Sequence, residues 1–374
     1  MVDHRRTSTD GQGPKAAARL RRAGTLAAVA ATALLAAACS SSSGSGSAPS
    51  SAASTAAGSA AASAPAAASG GTVTGSISLA VLSGYSYPTL PQMAAVDTLG
   101  GKGVTVTRDQ LTSPDLVVQA VSSGSANLAD VSMLSALQGI QKGAKITVLM
   151  DDRPGDWVIV APTSVTSCKD MNGKAFGVTA PGTALTVAAQ AWMKGCGANV
   201  NLVTIADSTD RETAMVHGEL QASPLNLSDY VTLNQQQPGK FHILEKYNDF
   251  APGLLTQVLV VNTAWFKQGQ NAQLVTQYAT SLLTVMKDAN GDPGTLQPTA
   301  KKYETSAAYS SYVQTAQTYT SEIKGFPADG GALTDAAVTS IISEGVKDGL
   351  LQPGLTAAQA FDSSILNSVE QAIG

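Results

Sequence analysis

DLVVQAVSSGSANLADVSMLSALQGIQKGAKITVLM, residues 115–150, decides the fold. Ser113-Pro114-Asp115 opens a helix with proline in its first turn, and Gly124 closes it. NLADVS (127–132) then reads as a short strand, MLSALQGIQKG (133–143) as a helix and KITVLM (145–150) as a buried strand. Strand and helix alternate over short connections, the signature of an open, mostly parallel sheet with helices on both faces.

Working outward keeps the rhythm. SISLAVL (76–82) reads as a strand, 88–99 as a helix after a proline, and VTVTRDQL (104–111) as an alternating strand. WVIVAP (157–162) adds a further strand. The pattern restarts after about residue 163, with strands expected at 174–180, 199–206, 220–222, 241–247 and 254–262. Helices fall at 184–195, 209–218 and 226–236, and the chain beyond about 270 is mostly helical. Asp292-Pro293-Gly294 and Gly325-Phe326-Pro327 read as breaks within that region. The fold class is α/β in two halves.

The first 72 residues read differently. Arg5, Arg6, Lys15, Arg19, Arg21 and Arg22 precede an uncharged apolar stretch that ends in three alanines and Cys39. The stretch suits an export signal and is too short to span a bilayer. Residues 40–72 are almost wholly Ser, Ala, Gly and Pro without charge, a composition that favours a flexible tether. The Arg21-Arg22 pair leaves twin-arginine and general secretory export both open.

The whole chain of 374 residues carries a net charge of −4 and only 13% charged residues. Beyond Cys39 it holds 17 basic and 25 acidic residues, a net charge of about −8, which argues against nucleic acid as a partner. His217 and His242 form no metal-ligand spacing with cysteine, so no metal or other cofactor is expected. No P-loop, G-x-S-x-G elbow or G-x-G-x-x-G motif is present, and SEIK (321–324) lacks its companion motifs.

In open α/β sheets, ligands bind beyond the carboxyl ends of the strands. The segments expected there are SGYSYP (83–88), Ser132, DDRPGDW (151–157), TAPGT (179–183) and Ser223 to Asn226. The candidate ligand contacts are Ser83, Tyr85, Tyr87, Ser132, Asp152, Trp157, Gly182, Thr183, Ser223 and Asn226. Plainer readings stand beside them. The tyrosines suit half-buried loops, Trp157 suits a core, Thr183 suits a helix cap, and Asp151, Asp152 and Asp156 suit solvated loop charges. Arg153 either pairs with those acids or faces an anion. Cys168 and Cys196 should return to the same end of a strand–turn–helix unit, so they are either a disulfide or two buried thiols.

One leader feature resembles a known pattern: the small residues before Cys39 are similar to the lipobox of bacterial lipoproteins, although Ala36 stands where leucine is commonest. The resemblance implies lipidation at Cys39. A plain secretory signal cut near Ala38 is the alternative.

Residues 115–150, together with 170–205, RETAMVHGELQASPL (211–225) and LTDAAVTSIISEGVKDGLL (333–351), resemble the periplasmic-binding-protein type II solute receptors, in the nitrate/sulfonate/taurine and thiamine-precursor branch. That resemblance implies two lobes joined by crossover strands near 157–163 and 255–262. The first lobe would hold 73–160 and 256–374, and the second 161–255. It also implies a small polar or anionic solute held in the cleft, an ABC permease as partner, a monomer, no catalysis, and a place outside the cell membrane by way of the Cys39 anchor. The alternatives are an exported enzyme related to thiamine-pyrimidine biosynthesis and a ligand-sensing partner of a membrane receptor.

Overall fold

A computed structural model describes residues 73–303, apart from 83 and 182, and 312–373. The expected signal, Cys39 and the tether lie outside the described residues, as do Ser83 and Gly182.

The central stretch forms the elements its sequence specifies. Helix α2 (Pro114–Ser123) starts where the Ser113 side chain accepts from the Leu116 amide, and ends at Gly124 with φ 82°. Strand β3 (Leu128–Ser132) is buried along nearly its whole length. Its last residue, Ser132, caps helix α3 (Met133–Gln141) through the Ser135 amide. Around β3 lies a five-stranded sheet in the order β2-β1-β3-β10-β4. Its other strands are β1 (Gly75–Val81), β2 (Val104–Gln110), β4 (Ile146–Arg153) and β10 (Gln257–Asn262). Strand β1 runs parallel to β2 and β3, while β10 runs antiparallel to β3 and β4. Helices α1 (Leu90–Gly100) and α9 (Asn271–Gly291) pack together beside this sheet.

The second half repeats the plan on a smaller scale. Strands β5 (Trp157–Pro162), β8 (Ser223–Asn226) and β9 (Phe241–Lys246) form one sheet in the order β8-β5-β9. Strands β6 (Ala175–Val178) and β7 (Asn201–Thr204) form a parallel pair. A parallel bridge from Phe176 to Ala222 links the two, giving the sequence β7-β6-β8-β5-β9. In both halves, four strands run one way. The fifth, antiparallel strand is the one that arrives from the other half.

Two expectations need correction. DDR (151–153) is not a solvated loop. It is the end of β4, and all three residues are buried. Partners inside the fold make this possible, as described below. The short strand expected at 220–222 lies instead at Ser223–Asn226. There Pro224 and Leu225 stand opposite Ile159 and Val158 of β5, and that pairing fixes the strand.

One continuous apolar core fills the first half and extends onto α5 (Ser208–Val216) and α6 (Leu227–Gln236). A smaller core gathers Ile159, Met171, Phe176, Met193 and Tyr247. The described residues belong to one compact unit. Cys168 and Cys196 are joined by a disulfide with their Cα atoms 6.3 Å apart. Among the described residues, no helix is long and apolar enough to cross a membrane.

Candidate functional site

The strand registers define the site. In the first sheet, Gln257 at the start of β10 stands between Ser132 at the end of β3 and Arg153 at the end of β4. These three residues mark its carboxyl edge. In the second sheet, Trp157 at the start of β5 stands opposite Asn226 at the end of β8. They mark the matching edge. Only residues 154–156 separate β4 from β5, so the first passage joins carboxyl edge to carboxyl edge. The return passage does the same, from β9 through the short helix α7 (Tyr247–Phe250) to β10. The two edges therefore border one region.

Helix starts converge there. Thr183 caps α4 (Ala184–Gly195): its hydroxyl accepts from the Thr186 amide and donates to the Ala180 carbonyl. Asp207 caps α5 through the amides of Thr209 and Asp210. Asn226 precedes α6, and Ser132 caps α3. The positive ends of four helices thus lie along the two edges, an arrangement that favours an anion.

The candidate contacts separate into two groups. Ser132, Trp157, Thr183 and Asn226 stand on the carboxyl edges and are partly buried. Tyr85, 52% exposed, stacks on Tyr303 at 5.2 Å, with the Arg108 guanidinium 5.4 Å from its ring. The others turn inward. Tyr87 is enclosed by the rings of Tyr312, Tyr319 and Phe326. Ser223 is fully buried against β6, where any side chain at Gly177 would strike its hydroxyl. Asp152 is also fully buried.

Asp152 belongs to an interior charge network. Arg153 Nη2 donates to Asp130 Oδ1 at 2.9 Å, and its Nε lies 2.8 Å from Oδ2. Gln92 Nε2 donates at 2.9 Å both to Asp130 and to Asp152. Burial pushes the Asp152 carboxyl well above the usual range, and the Asp130 charge adds to that shift. Burial opposes the Arg153 cation, but the Asp130 carboxylate outweighs it and keeps the guanidinium protonated. Burial raises Asp151 to about 7. It also raises Asp156, although the Tyr319 hydroxyl donates to that carboxylate at 2.5 Å.

Sequence reasoning missed Gln92, Asp130 and Tyr319. The signal for Asp130 was present, since an acid inside the apolar strand LADVS needs a buried partner. In the second half, Arg211 does comparable work. It is buried on α5 and donates to the carbonyls of Ile205, Ala206 and Pro224, tying the ends of β7 and β8 together. Among the described residues, no group of three or more His, Cys, Asp or Glu side chains could hold a metal ion.

Residues 101–295 match the sequence profile of a family described as NMT1/THI5 like. The chain belongs to this family. Among proteins of curated function, none matches this NMT1/THI5-like chain in sequence. Solved structures match its fold. The ligand-binding component of an ABC-type import system from Staphylococcus aureus superposes with a TM-score of 0.60 at 13% identity, covering 78% of this chain and 98% of that one. The alkanesulfonate-binding protein SsuA of Xanthomonas axonopodis pv. citri, bound to MOPS, gives 0.58 at 14% identity, with 77% and 98% covered. The periplasmic nitrate-binding protein NrtA of Synechocystis PCC 6803 gives 0.55 at 9% identity, with 80% and 89% covered. The fold of this NMT1/THI5-like protein is thus that of the periplasmic binding proteins.

Proposed function

We propose that this NMT1/THI5-like protein is the extracytoplasmic solute-binding lipoprotein of an ABC importer. The observation that carries the reading is topological: both chain passages join the carboxyl edge of one sheet to the carboxyl edge of the other. A rotation about residues 154–156 and 251–256 would open or close the region between those edges without breaking either sheet.

The solute is a small anion or a polar organic molecule carrying a negative group. Four helix starts lie along the edges, and Trp157 with Tyr85 offers aromatic surface for an organic part. The sulfonate- and nitrate-binding descriptions of SsuA and NrtA agree with that chemistry. Ser132, Trp157, Thr183 and Asn226 are the proposed contacts, with Tyr85 at the margin. Ser83 and Gly182 remain proposed from their place in the sequence. Lipidated Cys39 would hold the protein at the outer face of the membrane, and the tether of residues 40–72 would let it reach the permease as a monomer.

An enzymatic role has less support. His217 ends α5, and His242 near the start of β9 is bonded to the Val165 carbonyl at 2.7 Å. Both stand away from the carboxyl edges, and Cys168 and Cys196 are tied in the disulfide.

Native mass spectrometry of freshly purified protein should find a co-purified small anion. A melting-temperature screen with methanesulfonate, taurine and nitrate should find at least one stabilising solute. Stabilisation by cations alone would overturn the anion assignment.

A further inference from the structure

Helix α11 (Tyr312–Ile323) touches both halves of the molecule, and it does so with different chemistry on each side. Toward the first half its contacts are aromatic and buried. Tyr312 and Tyr319 pack around Tyr87, with ring centroids 5.6 and 4.8 Å away. Phe326, just beyond the helix, stacks on the same ring at 5.6 Å. The Asn290 side chain of α9 holds the Phe326 backbone at both its N–H and its carbonyl.

Toward the second half its side-chain bonds are polar and more exposed, beside the apolar core that continues onto α6. Gln235 of α6 donates to Gln314 at 2.8 Å. Lys246 of β9 reaches Glu322 twice, with Nζ 2.9 Å from the carboxylate and donating at 2.9 Å to the backbone carbonyl. Both charged side chains are about one-third exposed. Between the two sets, the Tyr319 hydroxyl bonds to Asp156, inside the passage from β4 to β5.

We infer that α11 is an interlobe latch. It travels with the first half and sets how often the two halves separate when no solute is bound. This inference rests on the clamp reading proposed above. The physical argument is the asymmetry between the ring contacts on one side and the hydrogen bonds and ion pair on the other. Buried aromatic contacts resist separation, whereas exposed amide and ion-pair contacts exchange readily with water. When the halves rotate, the contacts to Gln235 and Lys246 are the ones that yield. The contact to Asp156 lies at the pivot, where displacement is smallest, and is kept.

The test follows the distance between the far edges of the two sheets in solute-free protein. Single-molecule energy transfer between dyes at Lys102→Cys and Lys240→Cys reads it, because both positions are exposed and precede the amino ends of β2 and β9. Wild type is compared with a weakened latch, Gln314→Ala with Glu322→Gln, and a strengthened one, Gln235→Lys with Gln314→Glu. Melting curves confirm that each variant is folded, and none of the changes touches the aromatic cluster. The weakened latch should raise the open-to-closed ratio roughly two- to fivefold, the worth of such exposed contacts. The strengthened latch should lower it. Two wild-type populations whose ratio neither variant changes would overturn the latch and leave the clamp standing. A single narrow distance, identical in all three proteins, would overturn the clamp as well.

Discussion

The two halves share a strand order but are held together by different means. The first sheet carries its charges inside, with Asp130, Asp152 and Arg153 joined in a buried network by Gln92 of α1. The second sheet has a covalent tie, Cys168 to Cys196, and a buried arginine that bonds to backbone carbonyls rather than to acids. The larger half has enough apolar surface around its five strands to enclose a paired charge. The smaller half, with its own compact core, relies on cross-links between segments. Identical topology therefore does not dictate identical stabilisation.

Removing one partner of the buried pair should have the largest effect. Arg153→Met removes the cation paired with Asp130 beside Asp152 and should cost about 3–5 kcal/mol by chemical denaturation. A cost near that of a surface change would show that the network contributes little to the first half. Next comes the covalent tie. Its partners are 28 residues apart, so Cys168→Ser with Cys196→Ser should cost roughly 3–4 kcal/mol on the chain-entropy model. Hydrogen exchange should speed up at β6, β7 and α4 while β1 and β3 stay protected. Equal acceleration in both sheets would dissolve the contrast between the halves.

An effect of comparable size depends on pH. Asp151 titrates near 7 in the folded protein, against 3.8 for the ordinary group. Between those values the folded state holds a proton that the unfolded state releases, so stability falls as pH rises from about 4 to 7 and levels off above. Asp151→Asn should remove a loss of about 4 kcal/mol across that window, visible as a flatter melting profile. An unchanged slope would place the titrating group elsewhere. Smallest are the helix caps. Ser132→Ala and Thr183→Ala should each cost about 1 kcal/mol, one in each half, by urea titration. Both should also weaken solute binding. A cap variant that loses stability but binds solute as wild type does would remove that residue from the site.

Much of the fold was legible because local signals agreed. Ser113-Pro114 and Gly124 bracket α2, Ser132 starts α3 and Thr183 starts α4, each by a side-chain or backbone preference that acts within a few residues. The carboxyl-edge positions of Ser132, Trp157, Thr183 and Asn226 followed from that alternation. What sequence could not supply was partnership at a distance. Asp152 looked like a loop charge because Gln92 and Asp130 lie 60 and 22 positions away. Tyr87 looked like a ligand contact because nothing nearby announced Tyr312 and Tyr319. Ser223 was displaced by a strand only four residues long, whose place is set by pairing with β5 rather than by its own pattern.

Small-angle scattering, before and after adding whichever anion most raises the melting temperature, puts the clamp to the test most directly. The radius of gyration should fall on binding, as the two carboxyl edges draw together around the solute. Saturable binding with an unchanged radius would mean that the halves do not move, and that the shared border of the two sheets is not where the solute is enclosed.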